Sequence, residues 1–503
     1  MEQDNASAQR LRRTLQACRA CPSRARQDYS LSSAEEVGNL YAKIARRMAR
    51  DTSDQPTVPN IQANLVLALS ELLSGSGSRQ WMYAGNAIRM AQVMRLNKDF
   101  HQRHPPREQE IRRRIFWACF VFDRLLASSM AKPRTLSVGN IGIALPSTDL
   151  ALAYREETRG FTLDTLNAFS GAPSEIGIMP FLLVTVSLFS DIADIHICRG
   201  RFNEKLPPTD PRSQFFQRHA AMREWAGSLP SWLRWNEHNY SVHDDLGLGK
   251  EFTAMHLLLR SSMCIAHQGY LPQNDGSSIL LDTLDAAGLS LLHRDDGLIS
   301  TCVSNALAVG EMVTWLAREE RSADANLRSP WVAIALLSVS PSLLWLQYSD
   351  ESQDHAASSG LARSFLESFN LLLQSWRSSW RVASEWLAVL DGMERLYRSA
   401  YLGEVSEGSP EGSQGEGSHA DAVDEEEPGQ YRPKPGDGFP HISTAAPLYT
   451  MLRLSGSGAS PISPAETQQH WMWLQLIETW PHNLSEVSMQ GLDDDSLRFL
   501  GMS

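Results

Sequence analysis

Apolar residues recur at three- and four-residue spacing along this chain from about residue 31 to residue 400, the period of amphipathic helices. Ser32 or Ser33 is placed to cap a helix over Ala34–Arg50. Glu35 and Glu36 stand in its first turn, where the helix dipole favours them. Val37, Leu40, Tyr41, Ile44 and Met48 form one face of it. Pro56 and Pro59 break the pattern, and Ile61–Leu73 resumes it as a strongly apolar helix ended by Ser74-Gly75-Ser76-Gly77. In the next helix Ala84, Ala87, Ile88, Ala91 and Met94 share a stripe whose small residues let a neighbouring helix come close. Beyond Pro105-Pro106, Ile111, Ile115, Ala118, Cys119, Phe122, Leu125 and Leu126 share one broad face. Phe116, Trp117 and Phe120 carry apolar surface round to the other sides, which predicts a central helix. Pro133 ends this helical region, and Leu136–Ile143 reads as extended chain leading to Leu145-Pro146.

Further on, helical stretches are predicted at Phe181–Cys198, Phe215–Ala226, Glu251–Tyr270, Ile299–Arg318, Trp331–Tyr348 and Leu361–Tyr401. No alternating run flanked by hairpin signals interrupts them, so the fold class is all-α. Trp331–Gln347 is the most apolar run. Pro341 and its serines make it too interrupted for a membrane span of roughly 20 residues, and it reads as a buried helix pair. Residues 1–30 are polar and basic. Residues 403–440 are rich in Gly, Ser, Pro and acid, a composition that cannot bury a core and reads as a disordered linker. Residues 441–503 form a tail containing Trp471, Trp473, Leu474, Ile477 and Trp480, an aromatic cluster suited to docking or activation.

Composition changes this picture little. At 503 residues, with 42% hydrophobic and 21% charged residues, the chain is ordinary for a soluble protein. The net charge of -12 argues against a surface built mainly to coat phosphate. Acidic residues between Glu404 and Glu427 supply most of that charge. The N-terminus holds no apolar run of the kind a secretory signal needs. Lone cysteines at Cys119, Cys198, Cys264 and Cys302 inside apolar patterns indicate buried thiols in a reducing compartment.

Candidate chemistry is sparse. Cys18 and Cys21 have the spacing of a zinc half-site, but a structural zinc needs four ligands, and His101 and His104 are the only others before Cys119. Arg112-Arg113-Arg114 reads as a solvated or ion-paired face, with Glu110 four residues before Arg114 in the favourable orientation for an exposed pair. His256 and His267, three turns apart, read as satisfied core groups. Asp493-Asp494-Asp495 reads as solvated acid in a tail. No nucleophile elbow, metalloprotease motif, phosphate loop or dinucleotide fingerprint is present, so no enzyme is expected.

The stretch from residue 81 to residue 149 resembles the middle homology region of fungal zinc-cluster transcription factors, the fungal-specific transcription factor domain. The resemblance rests on Trp81, Gly85, Ala87, Ile88, Arg89, Ala91 and Leu96, then on Glu110, Arg113, Arg114, Phe116, Trp117, Phe122 and Asp123, then on Pro133, Ile141, Leu145 and Pro146. Weaker likeness extends it over residues 31–400. It implies a nuclear regulator of transcription whose helical domain restrains activity or senses a small metabolite, with the transcription machinery or co-regulators as partners. Family members bind zinc through six cysteines that also build their DNA-reading module. That cluster is not found here, so no cofactor is expected in this chain, and DNA is a partner only through a module upstream of it. The alternative is a helical modulator that binds full-length zinc-cluster factors or a small ligand, without DNA and without a membrane. Arg89, Arg113 and Arg114 are expected to pair with Glu110 or Asp123 and orient packed helices.

Overall fold

In the computed structural model, residues 34–402 are described apart from short segments, the longest of them 272–295. The helical punctuation falls close to where it is predicted, except that Pro59, expected in the break before Ile61, lies in the first turn of its helix. Helix α1 covers Ala34–Asp51. Helix α2, Val58–Leu73, begins at Thr57, whose hydroxyl accepts from the Asn60 amide at 3.3 Å, with a proline in the first turn where no amide is needed. It ends at Ser74, and Gly75 takes the left-handed φ of 75° that turns the chain into α3, Gly77–Val93. Helix α4, Pro106–Ser129, again starts on a proline.

Past a single 3-10 turn at Val138–Asn140 and the short α5, Asp149–Tyr154, come α6, Met179–His196, and α7, Gln214–Ser228. Then follow α8, Glu237–Asp245, and α9, Gly249–His267. The last four are α10, Asp296–Arg318, α11, Pro330–Tyr348, α12, Ala356–Trp376, and α13, Val382–Leu402. The described residues contain no strand, only an isolated bridge between Lys98 and Gly142.

Packing runs along the chain and then folds back. Helix α2 lies against α3, α3 and α6 against α4, while α9 touches α6, α7, α8, α10 and α11. Helix α11 is enclosed by α9, α10, α12 and α13. One continuous core holds Trp117, Phe120, Phe189, Phe252, Phe369, Trp376 and Trp386. Helices α10 and α11 are long and apolar enough to cross a membrane, but 83% of the α11 window is covered by protein. Gly310 of α10 is required by a close approach: an added Cβ would overlap the Phe365 ring of α12.

Four sequence expectations change. Helix α11 is one helix and not a pair, although Pro341 lies inside it. Proline deletes one backbone bond, but burial on all sides holds the helix together, and the Gln268 side chain donates to the Ser338 carbonyl beside the interruption. The stretch 361–401 is two helices, parted where the Trp380 amide returns to the Trp376 carbonyl and the Trp376, Trp380 and Trp386 rings cluster. The segment 136–143 is largely extended but contains the 3-10 turn. Helices α5 and α8 are too short for periodicity to reveal.

Candidate functional site

Helix α4 exposes few of its charges. Its Glu110 carboxylate accepts from Arg113 Nη1 at 2.6 Å, from Arg114 Nε at 2.9 Å and from the Ser147 amide at 2.9 Å. Arg114 reaches on to Asp149 Oδ1 at 2.5 Å and to the Ser147 carbonyl at 2.9 Å. Arg113 meets Asp99 at 3.4 Å, whose other oxygen takes the Ala144 amide at 3.1 Å. The Trp117 indole donates to the Ala144 carbonyl at 2.7 Å. This latch pins residues 144–149, including buried Leu145 and Pro146, across the N-terminal half of α4. Glu110, Arg113 and Arg114 are all buried, so the expected exposed pair is instead an interior network. Helical spacing shows a neighbour four residues away; it cannot show Asp149, brought in from 35 residues along the chain.

A second latch follows two turns later. Asp123 accepts the amides of Thr135 and Leu136 at 2.8 and 3.0 Å and Arg124 Nη1 at 2.8 Å. Arg124, 1% exposed, donates to the Leu136 carbonyl at 2.6 Å and lies 4.4 Å over the Phe120 ring. Burial lowers its pKa to about 10, against the pull of Asp123, so it stays charged at neutral pH. The expected pairing of Asp123 with Arg89, Arg113 or Arg114 is therefore replaced by one with the adjacent Arg124, which the sequence motif does not single out. Arg89 is exposed and donates to Gln92 at 3.1 Å, with no ion pair among the described residues.

The remaining motif positions are packing groups. Ala87, Ile88, Ala91, Phe116 and Trp117 are buried, and Lys132 sits 5.3 Å over the Trp81 ring. A Cβ added at Gly85 would meet open space, so this glycine serves no close approach. Pro133 is exposed just before the strap of chain that Asp123 holds.

That strap forms one wall of a cleft of about 720 Å³. Helices α6 and α7 form the others, with Trp225, Val184, Leu136 and Arg124 among the lining groups. Arg134 spans it to Asp191 at 2.5 Å and Asp194 at 2.8 Å, and Arg218 of α7 meets the same Asp191 at 3.3 Å. Exposed Asp164 and Glu224 line the cleft as well. The volume lies in the range of small-molecule sites, and the lining offers charged groups of both signs beside an apolar wall. Sequence reading did not find this cleft. The available signal was Asp191 and Asp194, three residues apart in the otherwise apolar α6.

Other candidates resolve to core. His256 bonds the Leu233 carbonyl at 2.9 Å and His267 the Met263 carbonyl at 2.6 Å, and burial lowers their pKa values to about 3 and about 4. They sit in separate aromatic clusters, His256 with Phe252 and Trp235, His267 with Phe215 and His219. Among the described residues no three His, Cys, Asp or Glu side chains converge on a metal position, and Cys119, Cys264 and Cys302 are buried free thiols. Cys18, Cys21, Cys198, His101, Asp493–Asp495 and the anchors Trp471, Trp473, Leu474, Ile477 and Trp480 lie outside the described residues, as do residues 1–30 and 403–503.

Residues 15–226 match the model of the fungal specific transcription factor domain. The match encloses both latches and the whole cleft; the resemblance read from sequence ran on to about residue 400. An uncharacterized transcriptional regulatory protein of Schizosaccharomyces pombe is 29% identical over 244 residues, 44% of this chain and 25% of that protein. A second from the same yeast is 23% identical over 407 residues, 74% of this chain and 57% of its own length. A Zn(2)-C6 fungal-type transcription factor of Fusarium oxysporum f. sp. lycopersici is 27% identical over 245 residues, covering 45% and 23%. The chain spans from about a quarter to just over half the length of these curated relatives. No solved structure matches.

Proposed function

We propose that this chain, which carries a fungal specific transcription factor domain, is a nuclear transcription regulator whose helical body senses a small polar metabolite in the Arg134–Arg218 cleft. The tail beyond residue 403 is the part that contacts the transcription machinery, with Trp471, Trp473, Leu474, Ile477 and Trp480 as anchors. The observation that carries the sensing role is the attachment of the cleft wall to the motif helix: Asp123 and Arg124 hold Thr135 and Leu136. A ligand that moves this wall acts on the central helix without any intermediate element. The inward-facing Arg113 and Arg114 support a regulatory role for the motif, because side chains committed to Glu110, Asp99 and Asp149 have no reach to phosphate. Any DNA contact by this protein then does not involve these two arginines.

The test is a reporter assay with the whole chain, and separately residues 404–503, fused to a foreign DNA-binding domain. Transcription above background from either fusion supports the regulator reading; silence from both refutes it. For the cleft, a thermal-shift screen of polar metabolites against the wild-type chain and Arg218→Glu is decisive. A stabilising ligand lost in the variant is the expected result, and a ligand indifferent to Arg218 removes the cleft from the account.

A further inference from the structure

Beyond the matched domain, the first turn of α9 lines a small slot shared with α4, α6 and the start of α11. Val121 and Leu125 of α4, Leu182 of α6 and Trp331 of α11 give it apolar walls. Its volume of about 40 Å³ is room for roughly three water-sized groups at about 10–15 Å³ each. Into this setting α9 brings two neighbouring side chains of opposite charge, Lys250 and Glu251. Glu251 is 8% exposed, and its Oε2 has no hydrogen-bond partner. Lys250 is partly exposed, so a solute can reach it. The two form no ion pair with each other or with another described residue. Buried polar atoms are nearly always satisfied, so an orphaned carboxyl oxygen beside an unpaired amine points to a missing ligand. Burial raises the pKa of Glu251 against its own amide and Lys250, and Asp149 of α5 adds to the rise. Burial lowers that of Lys250 against Glu251 and Asp244 of α8. The positive end of the α9 dipole also disfavours an ammonium there. Each group is moved towards its neutral form, an acid able to give a proton and an amine able to attack.

We propose that Lys250 captures short aliphatic aldehydes in this slot as an imine, with Glu251 as the proton donor. A desolvated lysine beside a carboxylic acid is the arrangement that Schiff-base formation uses. The Lys250 Nζ lone pair attacks the carbonyl carbon, and a proton from the nitrogen moves to the carbonyl oxygen, giving a carbinolamine. Glu251 protonates the hydroxyl, which leaves as water while the nitrogen lone pair closes the C=N bond. The remaining N–H proton returns to the Glu251 carboxylate. One amine and one aldehyde thus give one imine and one water, with no oxidant or reductant. The apolar walls receive the alkyl end and keep out the water that would reverse the step. The size of the slot admits acetaldehyde and excludes an aromatic aldehyde. The adduct lies against Val121 and Leu125, so capture is felt by α4, the helix that carries both latches. This inference stands apart from the Arg134–Arg218 cleft and does not rest on the sensing or activation readings above.

Acetaldehyde with cyanoborohydride, which reduces the imine to a stable N-ethyl amine, tests this on the full-length chain at neutral pH. Peptide mapping by mass spectrometry reads the labelling rate at each lysine. Lys43 and Lys98 are exposed and serve as internal references. Lys250 is expected to be labelled roughly tenfold faster than either, because more of it is free amine at that pH. Its rate should also level off at a lower pH than that of Lys43. Glu251→Gln is expected to slow Lys250 several-fold and to leave Lys43 and Lys98 unchanged. Labelling of Lys250 no faster than the references overturns the proposal. So does an advantage that survives in denaturant, which would belong to the local sequence, or one that benzaldehyde shares, which would belong to no slot of this size. A wild-type rate at Lys250 in folded Glu251→Gln removes Glu251 from the step. Should Glu251→Gln fail to fold, the wild-type comparisons in denaturant and with benzaldehyde still decide the capture, and Glu251→Asp decides the acid: a Lys250 rate equal to wild type removes it.

Discussion

The network around Glu110 and the network around Asp191 both join arginines to shared carboxylates, but they differ in exposure and in what they hold. Glu110 takes two arginines and a backbone amide in the interior and fixes residues 144–149 to α4. Asp191 takes Arg134 and the half-exposed Arg218 at the edge of an open cleft. The first network carries the residues by which the domain is identified, yet its groups are committed to one another. The second carries no motif residue, yet its charges are reachable by a ligand. The most recognisable positions are therefore scaffold, and the adaptable chemistry lies beside them.

The difference can be broken from either side. Glu110→Ala leaves two buried guanidinium groups and the Ser147 amide without their shared acceptor. Removing one partner of such an interior pair costs about 3–5 kcal/mol, measurable as a fall in the free energy of denaturant unfolding. Asp123→Ala is expected to cost about 2–4 kcal/mol, since it orphans two amides and one face of buried Arg124. Its loss also loosens the cleft wall, so proteolysis near residues 134–139 accelerates. Trp117→Phe keeps the ring in the core and deletes only the bond to Ala144, for a cost of about 1 kcal/mol. Arg218→Ala, at a half-exposed pair, is expected within about 1 kcal/mol of wild type.

A third carboxylate sharpens the comparison through pH. Glu385 is half-buried against Gly75, and burial raises its pKa to about 7, with Arg381 only partly opposing. Between about 4.5 and 7 the folded state holds a proton that the unfolded state has released, so stability falls as pH rises through this window and levels off above it. Melting temperature followed across this window should show the decline in the wild type and a flatter course in Glu385→Gln. Equal slopes contradict the assignment.

Much of the frame was legible in the sequence because it is written in local spacing. The apolar face of α4, the small-residue stripe of α3 and the proline breaks near the starts of α2 and α4 depend on residues within a few positions of one another. What escaped depends on distance along the chain. Nothing near Glu110 announces Ser147 or Asp149, and nothing near Asp123 announces the amides of Thr135 and Leu136. The cleft was invisible because its charged residues, Arg134, Asp191 and Arg218, come from three separate elements. Pro341 misled for the opposite reason: a local helix-breaking signal lost to burial by four surrounding helices.

The charges of the Glu110 network are interior scaffold, whereas Asp191 and Arg218 stand at the edge of an open cleft. Denaturant unfolding of Glu110→Ala and Arg218→Ala, measured side by side at neutral pH, tests this contrast most directly. The expected result is a loss of about 3–5 kcal/mol for the first and at most about 1 kcal/mol for the second. Equal losses, or the larger loss at Arg218, would contradict it.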